Sequence, residues 1–376
     1  MLFYIYSFLF FLCAAYAGLL DSILEKYLML QNGREWFFLA SALPPLSDVI
    51  LMSLFNKWNI SLKKRMIWAC IGGWIGILFM FLKHVFWILL GRCLAGILYS
   101  ILPSLFILIS KLSFSFNTLP RFMAFGLSGY FVPPIFLFLI HEIENVFYFC
   151  MMICILILWI VFYWIENECI TKSNHEKINF DFESIKKRYI LAIQVISNLH
   201  ASSIFYLVSP LCTNMGFSSF QIGLMIACCT AGQIMISLFL DQKSFSSLDL
   251  NRWTIQYNIW IQGIFCITLI LISSFALSFH LVIQIWICLL LLASTVSTAV
   301  FLTTSNQLCS ELVTNQDKMI YLIGMIASGM YIAGPLLNFL FLFYPAIPFV
   351  FLFCSWIGAS MIHETACIHF PYIIPY

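Results

Sequence analysis

Three ionisable side chains stand in apolar runs that should hold none: Asp21, Asp48 and Arg92. An ionised group at the centre of a bilayer costs roughly 2.5–3.5 kcal/mol on insertion scales, so each must face water, a cavity or a partner. A carboxylate beside a guanidinium can pin two helices together as a structural ion pair. Alternatively, the arginine holds the carboxylate ionised until a proton or a ligand displaces it. Arg92, about seven residues into its run, and Asp48, about twelve into its own, are the two best cases, at depths of about 10 and 18 Å for a helical rise of 1.5 Å per residue, and either they approach each other or each finds another partner. Asp21 is the second candidate for the protonatable carboxylate. It shares a helix face with Glu25 at i, i+4 spacing, and the simplest reading of both is the solvated end of a helix.

A second pattern is a polar stripe. Gln194, Asn198 and Ser202 follow one another at i, i+4 steps, with His200 to one side. In lipid such a stripe faces protein or water, so it serves either helix-to-helix hydrogen bonding or contact with a small molecule. Gln233, Gln284, Trp286 and Asn338 join the list of polar candidates within apolar runs.

Enzymatic chemistry finds no support. There is no P-loop, no H-E-x-x-H zinc motif and no G-x-S-x-G elbow, and the seven histidines are scattered. The fourteen cysteines show no paired metal-type spacing and fall mostly in apolar runs, so they read as small hydrophobes without a disulfide framework. No cofactor or metal is implied, and a net charge of +2 suggests no nucleic-acid partner.

The elements that must position these residues are membrane helices. Of 376 residues, 62% are hydrophobic and 9% charged, and the mean hydropathy is +0.99, which makes lipid the solvent for most of the chain. Continuous apolar runs of about 20 residues predict helices, whereas a barrel would show alternation in segments of about 10. Twelve spans are expected, at about 2–22, 36–55, 66–82, 85–110, 122–140, 146–165, 189–211, 222–240, 254–276, 281–305, 319–343 and 346–362. Ala15-Tyr16-Ala17 resembles a signal-peptidase site, but no Lys or Arg precedes it in residues 2–6, so no cleavage is expected.

Charge orients the spans. With both termini cytoplasmic, fourteen Lys and Arg fall inside, only Lys26, Arg34 and Lys83 fall outside, and Arg92 stays in the membrane. The longest polar segment, 166–188, carries both signs of charge and reads as a solvated cytoplasmic tether between six-helix bundles at 1–165 and 189–376. The halves resemble each other: Gly126, Gly129, Pro133 and Pro134 in span five have a counterpart in Gly324, Gly329, Gly334 and Pro335 of span eleven. Duplicated halves are a common construction in secondary transporters. Gly72, Gly73 and Gly76 of span three are read as close-packing positions.

The run Leu89-Leu90-Gly91-Arg92-Cys93-Leu94-Ala95-Gly96-Ile97, with Pro103 further on, resembles the fourth-helix motif of the major facilitator superfamily, an Arg followed four residues later by Gly. Span five is similar to the family's Gly- and Pro-rich fifth-helix motif but shows Val132-Pro133 in place of Gly-Pro. The loop 56–65 keeps the basic end of the family's second-to-third-helix motif, at Lys63-Lys64-Arg65, and lacks its Gly and Asp. The resemblance implies an all-α fold of two pseudo-symmetric six-helix bundles, with the first, fourth, seventh and tenth helices lining a cavity. It also implies proton-coupled export of a small organic solute across a cell membrane by a monomer. Metabolite uptake by symport is the alternative, as is a transporter-derived sensor or scaffold without flux. The Phe- and Ile-rich composition suggests an AT-rich genome and a bacterial inner membrane.

Overall fold

In the computed structural model the described residues are 2–58, 60–102, 105, 108, 118–139, 142–165, 185–214, 216–217, 221, 224, 227, 230–232, 234–235, 252–275, 285–298, 326 and 329–369. Among them the chain is helical, with short turns and no strand. Among the described residues five helices are long and apolar enough to cross a membrane: Leu2–Leu30, Ile143–Trp164, Leu191–Asn214, Gln256–Ser274 and Ile347–Glu364. The outer surface is apolar, with Met152 and Ile264 each 61% exposed and Trp159 55% exposed. Water would not tolerate such a surface on a folded monomer, and lipid does.

Span one runs Leu2–Leu30, eight residues beyond the expected end at 22. Span seven runs Ile185–Asn214 and so takes up the last residues of the expected tether, of which 166–184 lie outside the described residues. The first helix of each half is therefore about 30 residues long.

Proline chemistry shapes the spans that touch them. Span two, Phe37–Lys57, carries Pro44 and Pro45 in its interior. A proline has no N–H for the carbonyl four residues earlier, so Pro44 leaves the Ala40 oxygen without its helical donor. Span five is broken for the same reason: Thr118–Leu127 passes through a 3-10 turn at Ser128–Phe131 into Val132–Leu139, where Pro133 removes the donor for Gly129.

Glycines bring the helices together. A Cβ on Gly76 would sit 2.5 Å from the Ala95 nitrogen and 2.6 Å from the Gly91 oxygen, so span three meets span four backbone to backbone. Gly126 lies against the Phe10 ring and Gly129 against the Phe11 and Ala15 backbone, while Pro133 covers Gly18 of span one. In the other half Gly334 of span eleven lies against Ser202 and Ser203 of span seven. Gly126, Gly129 and Pro133 of span five and Gly334 of span eleven thus pack on the first helix of their own halves. Ala15 and Ala17 are buried in that same contact region, so small residues there serve packing. Pro335 is buried and Gly329 has nothing within 4 Å of its Cβ position, while Gly324 and Pro103 lie outside the described residues.

Gly76→Leu is expected to destabilise the purified protein by about 1–3 kcal/mol or more, since the obstructing atoms are backbone and cannot rotate away. Gly358→Leu, with nothing within 4 Å, is the control. Equal thermal midpoints for the two variants would overturn this packing account.

The C-terminal half is tied by a directed polar chain. Trp356 Nε1 donates to His200 Nδ1 at 2.9 Å, and His200 Nε2 lies 3.2 Å from Ser294 Oγ. Ser294 donates to Gln262 Oε1 at 2.6 Å, and Gln262 donates to Thr298 Oγ1 at 3.0 Å. With Nδ1 accepting, the neutral ring carries its proton on Nε2 and donates to Ser294. His200 is a connector of spans seven, nine, ten and twelve.

Candidate functional site

Arg92 Nη2 meets Asp21 Oδ1 at 2.5 Å, joining span four to span one. Its Nε donates to the Ala40 oxygen at 3.4 Å, the carbonyl that Pro44 released. Gly96, one turn beyond Arg92 on the same face, makes this reach possible: a Cβ there would fall 2.5 Å from Ser47 Oγ and 2.6 Å from the Pro44 oxygen. The Arg-x-x-x-Gly spacing thus has a physical reading, in which the glycine lets span four close on the proline turn of span two and the arginine uses the freed acceptor.

The pair is unequally exposed. The Arg92 side chain is fully buried, whereas 12% of the Asp21 side chain is accessible. Tyr99, Tyr130, Tyr206 and Tyr331 all lie within electrostatic reach of Asp21. They come from spans four, five, seven and eleven, two from each half. Tyr130 meets Phe205 edge to face at 6.1 Å, so the halves touch beside the ion pair.

Arg92 is therefore matched by Asp21 instead of Asp48, which is buried elsewhere on span two. The expectation that Asp21 and Glu25 form the solvated end of a helix is overturned for Glu25, which is only 4% exposed. Its Oε1 accepts from Arg34 Nη2 at 3.1 Å and its Oε2 from Ser209 Oγ at 2.6 Å, with Thr213 Oγ1 at 3.4 Å. Arg34 also donates to Asn214 Oδ1 at 2.8 Å. This cluster, with Phe38 against Phe341, joins the two halves at the end where span one terminates.

The polar stripe is used within the protein. Asn198 donates to the Gln194 backbone oxygen at 2.8 Å and to its Oε1 at 3.1 Å, and Ser202 donates to the Met330 oxygen of span eleven at 2.8 Å. Asn338 donates to the Ser203 oxygen at 2.8 Å. Gln233 and Gln284 lie outside the described residues, and Trp286 is 55% exposed. Arg65, from the basic loop end, donates through Nε to the Ile60 oxygen at 2.8 Å and through Nη2 to the Phe55 oxygen at 3.3 Å, capping span two.

The family model described as Major Facilitator Superfamily matches residues 2–335. The chain belongs to the Major Facilitator Superfamily. Similar solved structures include the human organic anion transporter TETRAN, with a TM-score of 0.71 at 12% identity, covering 96% of this chain and 98% of that one. A POT family transporter in complex with 5-aminolevulinic acid has a TM-score of 0.71 at 13% identity, covering 99% and 96%. A bacterial homologue of the iron transporter ferroportin in an outward-facing state has a TM-score of 0.68 at 12% identity, covering 98% and 99%. Among curated proteins none matches the sequence.

The fold class expected from sequence, an all-α multi-pass membrane protein of two six-helix bundles, is the major facilitator fold. Membership makes the chain a transporter and not an enzyme. Within that fold, the tyrosines around Asp21 escaped the sequence reading because they are scattered over four spans with no local spacing in common. The signal that was available lay in Pro44, whose missing N–H marks Ala40 as an acceptor for a buried donor.

Proposed function

We propose that this superfamily member is a proton-coupled exporter of a small organic solute, working by alternating access as a monomer in a bacterial inner membrane with both termini cytoplasmic. The observation that carries this reading is the Asp21–Arg92 pair, with the Arg92 side chain fully buried and 12% of the Asp21 side chain accessible. A proton arriving at Asp21 weakens the pair and loosens span one from span four, and loss of the proton restores it. The halves defined by residues 1–165 and 189–376 are the moving bodies in this proposal, and the Glu25 cluster closes what the charge asymmetry makes the outer end. Orientation rests on that asymmetry, fourteen basic residues against three.

The test starts with a thermal-shift screen of metabolites and drugs on the purified protein, followed by flux of the hits in proteoliposomes under an imposed pH gradient. Gradient-driven flux of the wild type in the export direction is expected, and Arg92→Ala should lower it by about 10-fold or more, as for loss of a group worth at least 1.4 kcal/mol to the coupled step. Full coupled transport by Arg92→Ala overturns the role of the pair. Solute moving with the proton instead of against it replaces export by uptake symport, and absence of flux for every bound compound favours a sensor.

A further inference from the structure

We propose that an anionic phospholipid docks on the seam between spans three and six, at the end of the bundle where span three begins, with its phosphate on Lys63 and Lys64 and an acyl chain along the exposed side chains of span six. Span three is Leu62–Met80 and span six is Ile143–Trp164. The two run antiparallel and pack directly, since a Cβ on Gly73 would fall 3.4 Å from Cys154 Sγ.

Charge is the first reason. The first turn of span three holds Lys63, Lys64 and Arg65 and no acid, and the N-cap Ser61 gives the helix no side-chain bond. Cations at the positive end of a helix dipole are unfavourable, and the first N–H groups of the helix still need acceptors. Span six relieves Lys63. Its Nζ donates to the Phe162 oxygen at 2.7 Å, in the last turn of that helix, and lies 5.3 Å from the centroid of the Phe162 ring. Arg65 is taken up by the Ile60 and Phe55 oxygens. Lys64 is exposed, and no ion pair among the described residues includes it or Lys63. A phosphate at this point meets two adjacent cations and the uncapped N–H groups together.

The apolar surface beside the cations is the second reason. Trp159 and Tyr163 stand four residues apart on span six with ring centroids 5.3 Å apart, and Tyr163 meets Phe162 edge to face at 5.6 Å. All three rings are exposed, as is Trp68 on the Lys64 face of span three. Indole and phenol rings suit the headgroup boundary, where one end is apolar and the other wet. The exposed stripe of span six continues through Ile155 to Met152, about 16 Å from Tyr163 at a rise of 1.5 Å per residue. That is about half of a hydrocarbon core roughly 30 Å thick. The stripe has the depth of one leaflet, which matches an acyl chain and not a soluble anion.

The test is native mass spectrometry of the delipidated full-length protein titrated with dioleoyl phosphatidylglycerol or dioleoyl phosphatidylcholine, which share their chains and differ in net charge. No gradient is present, so the result is independent of the transport reading. Phosphatidylglycerol is expected to bind at least about 5-fold more tightly. Lys64→Gln should remove most of that preference, a change of about 5-fold being about 1 kcal/mol, as for one cation at an anionic surface. Lys26→Gln, the same charge change at the other end of the bundle, should keep it. Trp159→Leu should weaken both lipids by about 3-fold without altering the preference. Equal thermal midpoints of wild type and Lys64→Gln in lipid-free detergent would show that lost binding is not lost folding. A phosphatidylglycerol with a diazirine in its chain should cross-link to spans three and six. Equal affinity for the two lipids, equal loss of preference in Lys64→Gln and Lys26→Gln, or cross-links confined to other spans overturns the site. Displacement of the lipid by equimolar glycerol phosphate shows a soluble-anion site and overturns the lipid as occupant.

Discussion

Arg92→Met is expected to cost the protein about 3–5 kcal/mol of stability, and adding Asp21→Leu to return most of that loss. The asymmetry follows from burial. Removing the guanidinium strands the carboxylate of a side chain only 12% accessible, which has lost its partner at 2.5 Å. The Ala40 oxygen loses its donor at the same time, and Pro44 cannot replace it. Removing both charges leaves no ion to desolvate, and apolar replacements of a buried pair are often neutral or stabilising. Unfolding curves of wild type, each single variant and the double variant in one detergent form a complete cycle. A coupling energy near zero would falsify the pairing, because it would mean that Asp21 finds its compensation elsewhere.

Glu25→Ala should shift the protein toward a state open at the end where span one terminates, by about 30- to 150-fold in the equilibrium between states. That range corresponds to about 2–3 kcal/mol, the expected worth of hydrogen bonds to one charged group. Glu25 is the shared acceptor of the cluster: Arg34 bonds one carboxylate oxygen, and Ser209 and Thr213 of the opposite half bond the other. Separation of the halves at this end must break the bonds from span seven, so they stabilise the closed arrangement and no other. Phe38 against Phe341 and the Arg34–Asn214 bond remain and limit the shift. Glu25→Gln keeps an acceptor for Ser209 and should shift the equilibrium less. Spin-label distances between positions 36 and 344, both exposed in the wild type, report the opening. Unchanged distance distributions in Glu25→Ala, with the protein folded, would show that the cluster does not hold the end closed.

The reach of sequence reasoning differs from residue to residue. Arg92 and Gly96 were legible because a helix converts a spacing of four into one shared face, and because a charge in an apolar run is conspicuous. Choosing between Asp21 and Asp48 as the partner of Arg92 was not possible on the same basis. Both sit in apolar runs, and depth along a helix says nothing about its rotation toward a neighbour. Glu25 was misread because Asp21, Glu25 and Lys26 interrupt the apolar run, which looks like a span ending near 22. The helix continues to Leu30 because Arg92 compensates Asp21, and Arg34, Ser209 and Thr213 compensate Glu25.

The polar stripe of span seven shows a related boundary. Its spacing correctly implied one helix face, while the bond from Ser202 to Met330 depends on Gly334 admitting span seven to close approach. Sequence by itself determined that the chain lives in lipid, that it is helical, and that it is built from two similar halves. These follow from local quantities: the run length that crosses a bilayer, the internal hydrogen bonding that lipid demands, and repeated Gly and Pro. Tertiary structure alone decided which carboxylate meets Arg92 and that Glu25 is buried between the halves. Those outcomes depend on how rigid helices rotate and tilt against one another, and a contact between residues 71 or 184 positions apart leaves no mark in the spacing of either.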